Sequence, residues 1–250
     1  MSQTSRNKKA PEPAPQSVSP AGIVAAVGII LIFITLGIML VRSGNNARQQ
    51  VAEPTPAPFA AVPTVSGYTP GRLPADVAAR NGFYTAPPPM MIDPARTYTA
   101  TITTPRGDIV IRLRPDLAPE TVNNFVFLAR EGFYDGVTWH RVLPGFMAQG
   151  GDPTGTGAGG PGYTIKDEFG PNMIFDRPGI VAMARTPMPN SAGSQFFITT
   201  APAPHLNGQY TIFGEVIQGQ EIVDGIPLRN PDENPTEPGE QMLRVTITEQ

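Results

Sequence analysis

Arg141 lies in the run WHRVLPGFMAQGGD (139–152), ahead of Phe146, Met147 and Gln149. A guanidinium among apolar residues needs a reason, because arginine is seldom fully buried without a partner. Two readings are open. Either Arg141 meets an acidic partner inside a core, or it is held bare over an apolar pocket for a ligand. Arginine offers several N–H donors in a rigid plane, keeps its charge, and is less strongly hydrated than lysine. Such a donor could stabilise electron density that becomes localised on a bound group, without a nucleophile or a metal. Spacing alone does not place Arg141 and Phe146 on one face.

Other chemistries find little support. The chain has no Cys, which excludes disulfides, thiol nucleophiles and Cys-ligated zinc. Its 2 histidines, His140 and His205, cannot build a polyhistidine metal site, and there is no HExxH spacing. No metal or cofactor is expected. GTGAGG (155–160) matches GxGxxG, but Pro153 precedes it and Pro161-Gly162 follow. No helix can begin there, so the motif reads as a surface loop. Ser194 lacks the GxSxG context, and neither histidine has an acidic orienter at a recognisable spacing. His140 alone reads as structural. Phe146, Met147, Phe196 and Phe197 each suit a core. Yet consecutive strand residues face opposite sides, so one of Phe196 and Phe197 can fill an interior while the other lines something else.

The elements that must position these residues begin near Arg96. TYTATITT and DIVIRL alternate around PRG, which predicts a β-hairpin. APETVNNFVFLAREG predicts a helix, with Pro119 at its first position, Gly132 at its stop, and Val122, Phe125, Val126 and Ala129 on one face. Short strand-like runs follow: VTWHRVL, GFMAQGG, GIVAMAR, SQFFITT, YTIFGEVI and MLRVTITE, with a short helix in QGQEIVDGI. The fold class expected is mainly β: a closed antiparallel barrel with two helices at its ends, over residues 96–250.

Residues 1–95 have a different texture. Residues 1–20 are polar and proline-rich and read as a disordered tail. Residues 21–41 (AGIVAAVGIILIFITLGIMLV) carry no charge. As a helix they would extend roughly 30 Å, the thickness of a bilayer core. A cleaved signal peptide would have a shorter apolar run and an AxA-like site, so an uncleaved single-pass membrane anchor is expected. Arg6, Lys8 and Lys9 precede it, Arg42 and Arg48 follow, and the bias favours a cytoplasmic N-terminus with the domain outside the cytoplasm. Residues 42–95 are proline-dense and read as an extracytoplasmic tether, with a short helix in PADVAARNGFY (74–84). The whole chain carries a formal charge of −3, with no basic stripe interleaved with aromatics, so nucleic acid is not an expected partner.

FYDGVTWHRVLPGFMAQGGDPTGTGAGGPGY and GIVAMARTPMPNSAGSQFFITTAPAPHLNGQYTIFGEV together resemble the cyclophilins, the peptidyl-prolyl cis/trans isomerases, from about residue 98 to 248. The resemblance implies an eight-stranded antiparallel barrel capped by two helices, with proline-containing polypeptides as partners. It implies that Arg141 is the catalytic arginine and that Gln149 contacts the substrate carbonyl region. Phe146, Met147, Phe197 and Leu206 would form the proline pocket, and Ala184, Arg185 and Gln195 the groove beside it. His205 stands where many eukaryotic members carry tryptophan, and Tyr210 where they carry histidine. These departures resemble bacterial members and imply at most weak cyclosporin binding. Rotation about X–Pro bonds, in aid of exported proteins, is the function this implies. A catalytically weak proline-peptide binding or scaffold module at the membrane surface is the alternative.

Overall fold

The computed structural model describes residues 72–250. The expected tail at 1–20, anchor at 21–41 and tether up to residue 71 lie outside the described residues. Among those described, no helix is long and apolar enough to cross a membrane.

The hairpin forms where the alternation places it. β1 (Tyr98–Thr104) and β2 (Gly107–Leu113) pair antiparallel, with Thr104 opposite Gly107. Helix α1 (Pro119–Arg130) starts at Pro119, whose missing N–H is no loss in the first turn. No side chain on Ala118 caps the helix, and the Glu168 carboxylate accepts instead from the amides of Glu120 (3.0 Å) and Thr121 (2.7 Å). At the other end Gly132 takes φ 75°. Phe133 N–H then reaches Leu128 C=O at 2.9 Å, and Gly132 N–H reaches Ala129 C=O at 3.0 Å, a closure that favours a left-handed glycine.

Six further strands follow: β3 (Arg141–Leu143), β4 (Met147–Gly150), β5 (Ile180–Met183), β6 (Phe196–Thr199), β7 (Ile212–Gln218) and β8 (Arg244–Glu249). Between β7 and β8 lies the short helix α2 (Gln220–Asp224), which packs beside β2. The eight strands make one curled antiparallel sheet, ordered β3-β4-β6-β5-β7-β2-β1-β8. The sheet is not closed by a ladder. Its edges are β3 and β8, and single backbone bridges span the gap. Val142 and Arg229 exchange two hydrogen bonds (2.7 and 2.9 Å), Trp139 N–H reaches Glu240 C=O (2.8 Å), and Met242 N–H reaches Val137 C=O (2.8 Å). The chain leading into β8 thus lies beside the chain leading into β3, which satisfies edge groups that would otherwise need water.

The domain begins earlier than residue 96. Tyr84 and Ile92 belong to the main core, and Arg80 is only 8% exposed. Arg80 Nη1 donates to the carbonyls of Gly132 (3.1 Å), Phe133 (3.1 Å) and Asp135 (2.6 Å), just past the end of α1. Tyr84 packs its ring edge-on to Phe127 and Tyr163. Residues 72–95 are therefore a strap on the domain and not free tether. The expected helix at 74–84 is reduced to a single 3-10 turn, Ala78–Arg80, ended by Asn81 and by Gly82 at φ 69°. Dense proline excludes regular hydrogen-bonded elements, but it does not prevent aromatic and arginine side chains from docking. Composition could not see that docking.

Two apolar clusters use the two faces of the same strands. Val142, Ala148, Val181, Met183, Phe196 and Ile198 join the main core, where Phe196 meets the rings of Phe125, Tyr134 and Trp139. Met147, Ile180, Ala182 and Phe197 form a second cluster with Phe175, Leu206 and Ile212, with Leu143 and Phe146 packed against it. This is the period-two alternation of a pleated strand.

Candidate active site

Register decides what the sequence left open. Arg141 is opposite Gln149, Gln149 is opposite Phe197, and Phe197 is opposite Ala182. These four residues form one row across β3, β4, β6 and β5. Directly opposed residues project to the same face, so guanidinium, carboxamide and aromatic ring share the face of the second cluster. Met147 is two residues along β4 from Gln149 and lies on that face too. Phe146 occupies the tight turn between β3 and β4, beside Gly145 at φ 61°, and its carbonyl accepts from Thr200 N–H at 2.9 Å.

These residues enclose a cavity of about 190 Å³ lined by Arg141, Phe146, Met147, Gln149, Phe197 and Leu206, with Ala184, Arg185 and Tyr210 completing the wall. Its apolar side is rigidly backed. Phe197 stacks on Phe175 (centroids 6.0 Å apart, 19° between planes) and meets Tyr210 edge-on. Phe175 was not evident from sequence, since it lies in a loop without periodicity.

Arg141 is half-buried, and among the described residues no carboxylate forms an ion pair with it. Its Nη1 approaches only the Met147 sulfur at 3.9 Å, and its Cζ is 6.0 Å from the centre of the Phe146 ring. Of the two readings open from sequence, the bare guanidinium over an apolar pocket is the one present. Gln149 donates through Nε2 to Gln195 Oε1 at 2.9 Å.

Arg185 contrasts with it. That guanidinium is spent on Asp167 (3.4 Å), on the carbonyls of Met188 (2.9 Å) and Gln209 (3.3 Å), and on the face of Phe169. Its side chain fixes the groove wall. His205 does not line the cavity; it is exposed and rests against Phe146 from outside, with ring centres 5.3 Å apart. Gln195 lies outside the small cavity as well and reaches it through Gln149. His140 points away into the protein at 1% exposure, with no hydrogen bond to either ring nitrogen among the described residues. Burial pushes its pKa below the usual value, against the opposing pull of Asp152. It is a neutral core imidazole. No cluster of metal-ligating side chains is found among the described residues.

Residues 99–248 match the family described as cyclophilin type peptidyl-prolyl cis-trans isomerase/CLD. The chain belongs to this family. It is similar to peptidyl-prolyl cis-trans isomerase A of Mycobacterium tuberculosis, at 50% identity over 164 residues, covering 58% of this chain and 90% of that one. Peptidyl-prolyl cis-trans isomerase B of Streptomyces anulatus is 48% identical over 149 residues, covering 53% of this chain and 85% of the relative. Among solved structures, the fold resembles a cyclophilin type peptidyl-prolyl cis-trans isomerase from Cryptosporidium parvum. That likeness has a TM-score of 0.56 and 36% identity, and it covers 61% of this chain and 98% of that one. The cyclophilin domain is a peptidyl-prolyl cis-trans isomerase, and its substrates are proline-containing peptides.

Proposed function

We propose that Arg141 is the catalytic group of this isomerase, and that the enzyme works on exported polypeptides from a membrane anchor at residues 21–41. An X–Pro bond resists rotation by roughly 18–20 kcal/mol because the nitrogen lone pair is shared with the carbonyl. As the bond twists, that lone pair returns to the prolyl nitrogen, which becomes a hydrogen-bond acceptor. A donor aimed at it binds the twisted state better than either planar isomer, and only such differential binding speeds the reaction. The pocket of Phe146, Met147, Phe197 and Leu206 would hold the pyrrolidine ring and exclude water from the donor. Gln149, oriented by Gln195, would hold the neighbouring carbonyl while the bond turns. No proton transfer or covalent intermediate is needed.

The observation that carries this reading is a guanidinium, without an ion-pair partner among the described residues, at the edge of an apolar cavity. A charged hydrogen bond worth about 3 kcal/mol more in the twisted state supplies on the order of a hundredfold in rate. Arg141→Ala should lose that much kcat/KM in a protease-coupled assay on a proline peptide while keeping its melting temperature. Wild-type turnover in that variant would refute the role. Arg141→Lys should also lose much of the rate, since an ammonium lacks the planar fork. The anchor is supported by the length and charge-free composition of residues 21–41. A mass measurement on the protein from the membrane fraction tests it: an intact N-terminus is expected, and a chain shortened past residue 41 would overturn it.

A further inference from the structure

The strap at 72–95 lies ahead of the family-matched residues, yet it reaches the catalytic groove. Beside the proline pocket is a larger cavity of about 710 Å³. The two cavities share Gln149, Ala184 and Arg185. Through these shared residues the larger cavity adjoins the smaller one, on the side open to residues flanking a proline held there. One wall of the larger cavity is the glycine-rich backbone of residues 157–160, and next to it stand Asn81 and Gly82 of the strap.

That wall has few side chains of its own, so its shape depends on what grips its backbone. Three groups do so. The buried Asp152 carboxylate accepts from the amides of Thr154 (2.7 Å), Thr156 (3.1 Å) and Gly157 (2.6 Å). Burial opposes the charge on Asp152, but these amide donors outweigh it and hold the carboxyl below its usual range. Gln195 Nε2 donates to the carbonyls of Gly157 and Gly159, each at 2.9 Å, while its oxygen orients Gln149. The strap supplies the third. Asn81 Oδ1 accepts from Gly160 N–H at 2.9 Å, and Gly82 N–H donates to Gly160 C=O at 3.0 Å. Two residues on, Tyr84 N–H reaches Pro161 C=O at 2.8 Å. The approach is tight enough that a Cβ on Gly162, at φ 106°, would collide with the Tyr84 carbonyl oxygen. Arg80 and Tyr84 root the strap in the domain, so Asn81 is held against the loop from a fixed base.

We propose that Asn81 is a positioning residue for the isomerase: by tying down Gly160 it fixes the glycine wall against which the residues flanking the substrate proline are bound, and so sets the preference for extended over minimal proline peptides. Asn81 borders the larger cavity but lies outside the proline pocket and away from the reacting bond. Its influence passes through Gly160, and the same wall carries the carbonyls that hold Gln195 and, through it, Gln149. The proposal rests on the groove reading above, and its readout is a ratio between substrates that stays measurable whatever Arg141 contributes.

The test compares two substrates on the full-length chain by NMR exchange spectroscopy. One is a blocked Ala-Pro dipeptide that fills only the proline pocket, and the other a hexapeptide with the same dipeptide at its centre. In Asn81→Ala, KM for the hexapeptide should rise about three- to tenfold more than KM for the dipeptide, with the effect in KM and not in kcat. Asn81→Asp keeps an oxygen acceptor in place and should restore the wild-type ratio. Equal changes for both substrates, an unaltered hexapeptide KM, or an Asp variant as impaired as the Ala variant would each overturn the proposal. Asn81 is exposed, so its replacement leaves the core untouched. Should Arg141→Ala keep full turnover while Asn81→Ala still shifts the ratio, the catalytic assignment fails and the positioning role stands.

Discussion

Phe196 and Phe197 are neighbours in the chain and belong to different parts of the molecule. Phe196 is fully enclosed by Phe125, Tyr134, Trp139 and Phe213, on the face where Val142, Ala148 and Val181 also point. Phe197 is nearly as buried, at 4% exposure. Its ring, however, belongs to the cluster that opens on Arg141 and Gln149. One face of β3-β4-β6-β5 is thus spent on holding the sheet together, and the other on a hollow with a cation at its edge. The lesson is that a pleated sheet can separate stability from function residue by residue. Substitutions on the inner face should act on folding, and those on the outer face on substrate.

The sharpest test is Phe196→Ala. Removing a fully enclosed aromatic should destabilise the domain by about 3–5 kcal/mol in denaturant titration. The fraction that remains folded should keep its kcat/KM. Arg141→Ala is the mirror image, a hundredfold loss of rate with little change in stability. If both variants lost stability to the same extent, the division between faces would be gone. Third in size is Arg80→Ala, which strips donors from the carbonyls of Gly132, Phe133 and Asp135. It should cost about 1–3 kcal/mol and expose the strap to limited proteolysis between residues 72 and 84.

Phe197→Leu keeps an apolar side chain but not the stack on Phe175. A stability loss below about 1.5 kcal/mol is expected, together with a raised KM for proline peptides. An unchanged KM would mean that Phe197 is simply more core. The smallest effect concerns His140. Burial lowers its pKa, so the unfolded chain binds the proton more readily than the folded one. The stability this contributes is complete above the ordinary histidine pKa of about 6.5 and is lost as pH falls through the lowered folded value. Denaturation midpoints should fall on acidification below about pH 6.5, and His140→Gln should flatten that fall. If Arg141 is the catalytic group, turnover uses no group that titrates there and should stay level between about pH 7 and 9.

Much of this was legible because local rules and burial agreed. The eight strand-like runs each contain a strand, although VTWHRVL yields only Arg141–Leu143. α1 begins at Pro119, and its C-terminal turn closes on Gly132, because proline and glycine act through backbone geometry that needs no tertiary partner. The strap was missed for the opposite reason. APPPMMIDP has no periodicity to read, and what fixes the strap is contact with residues distant in the chain: Asn123 with Pro89, Met91 and Ile92, and Phe133 with Arg80 and Tyr84. The ladder that would close the barrel was also expected and is replaced by single bridges, since strand count says nothing about whether two edges meet in register.

By itself the sequence determined the order of the elements, the alternation that sends Phe196 and Phe197 to opposite faces, and the absence of any thiol or polyhistidine chemistry. These follow from residue types and from dihedral preferences that act over a few positions. Only the tertiary structure decided that Arg141 has no acidic partner among the described residues, that Gln149 and Phe197 stand in its row, and that Asn81 reaches Gly160. Each of those depends on register between strands, or on docking between segments distant in the chain. No local preference carries that information, because the energy that selects it resides in the assembled core.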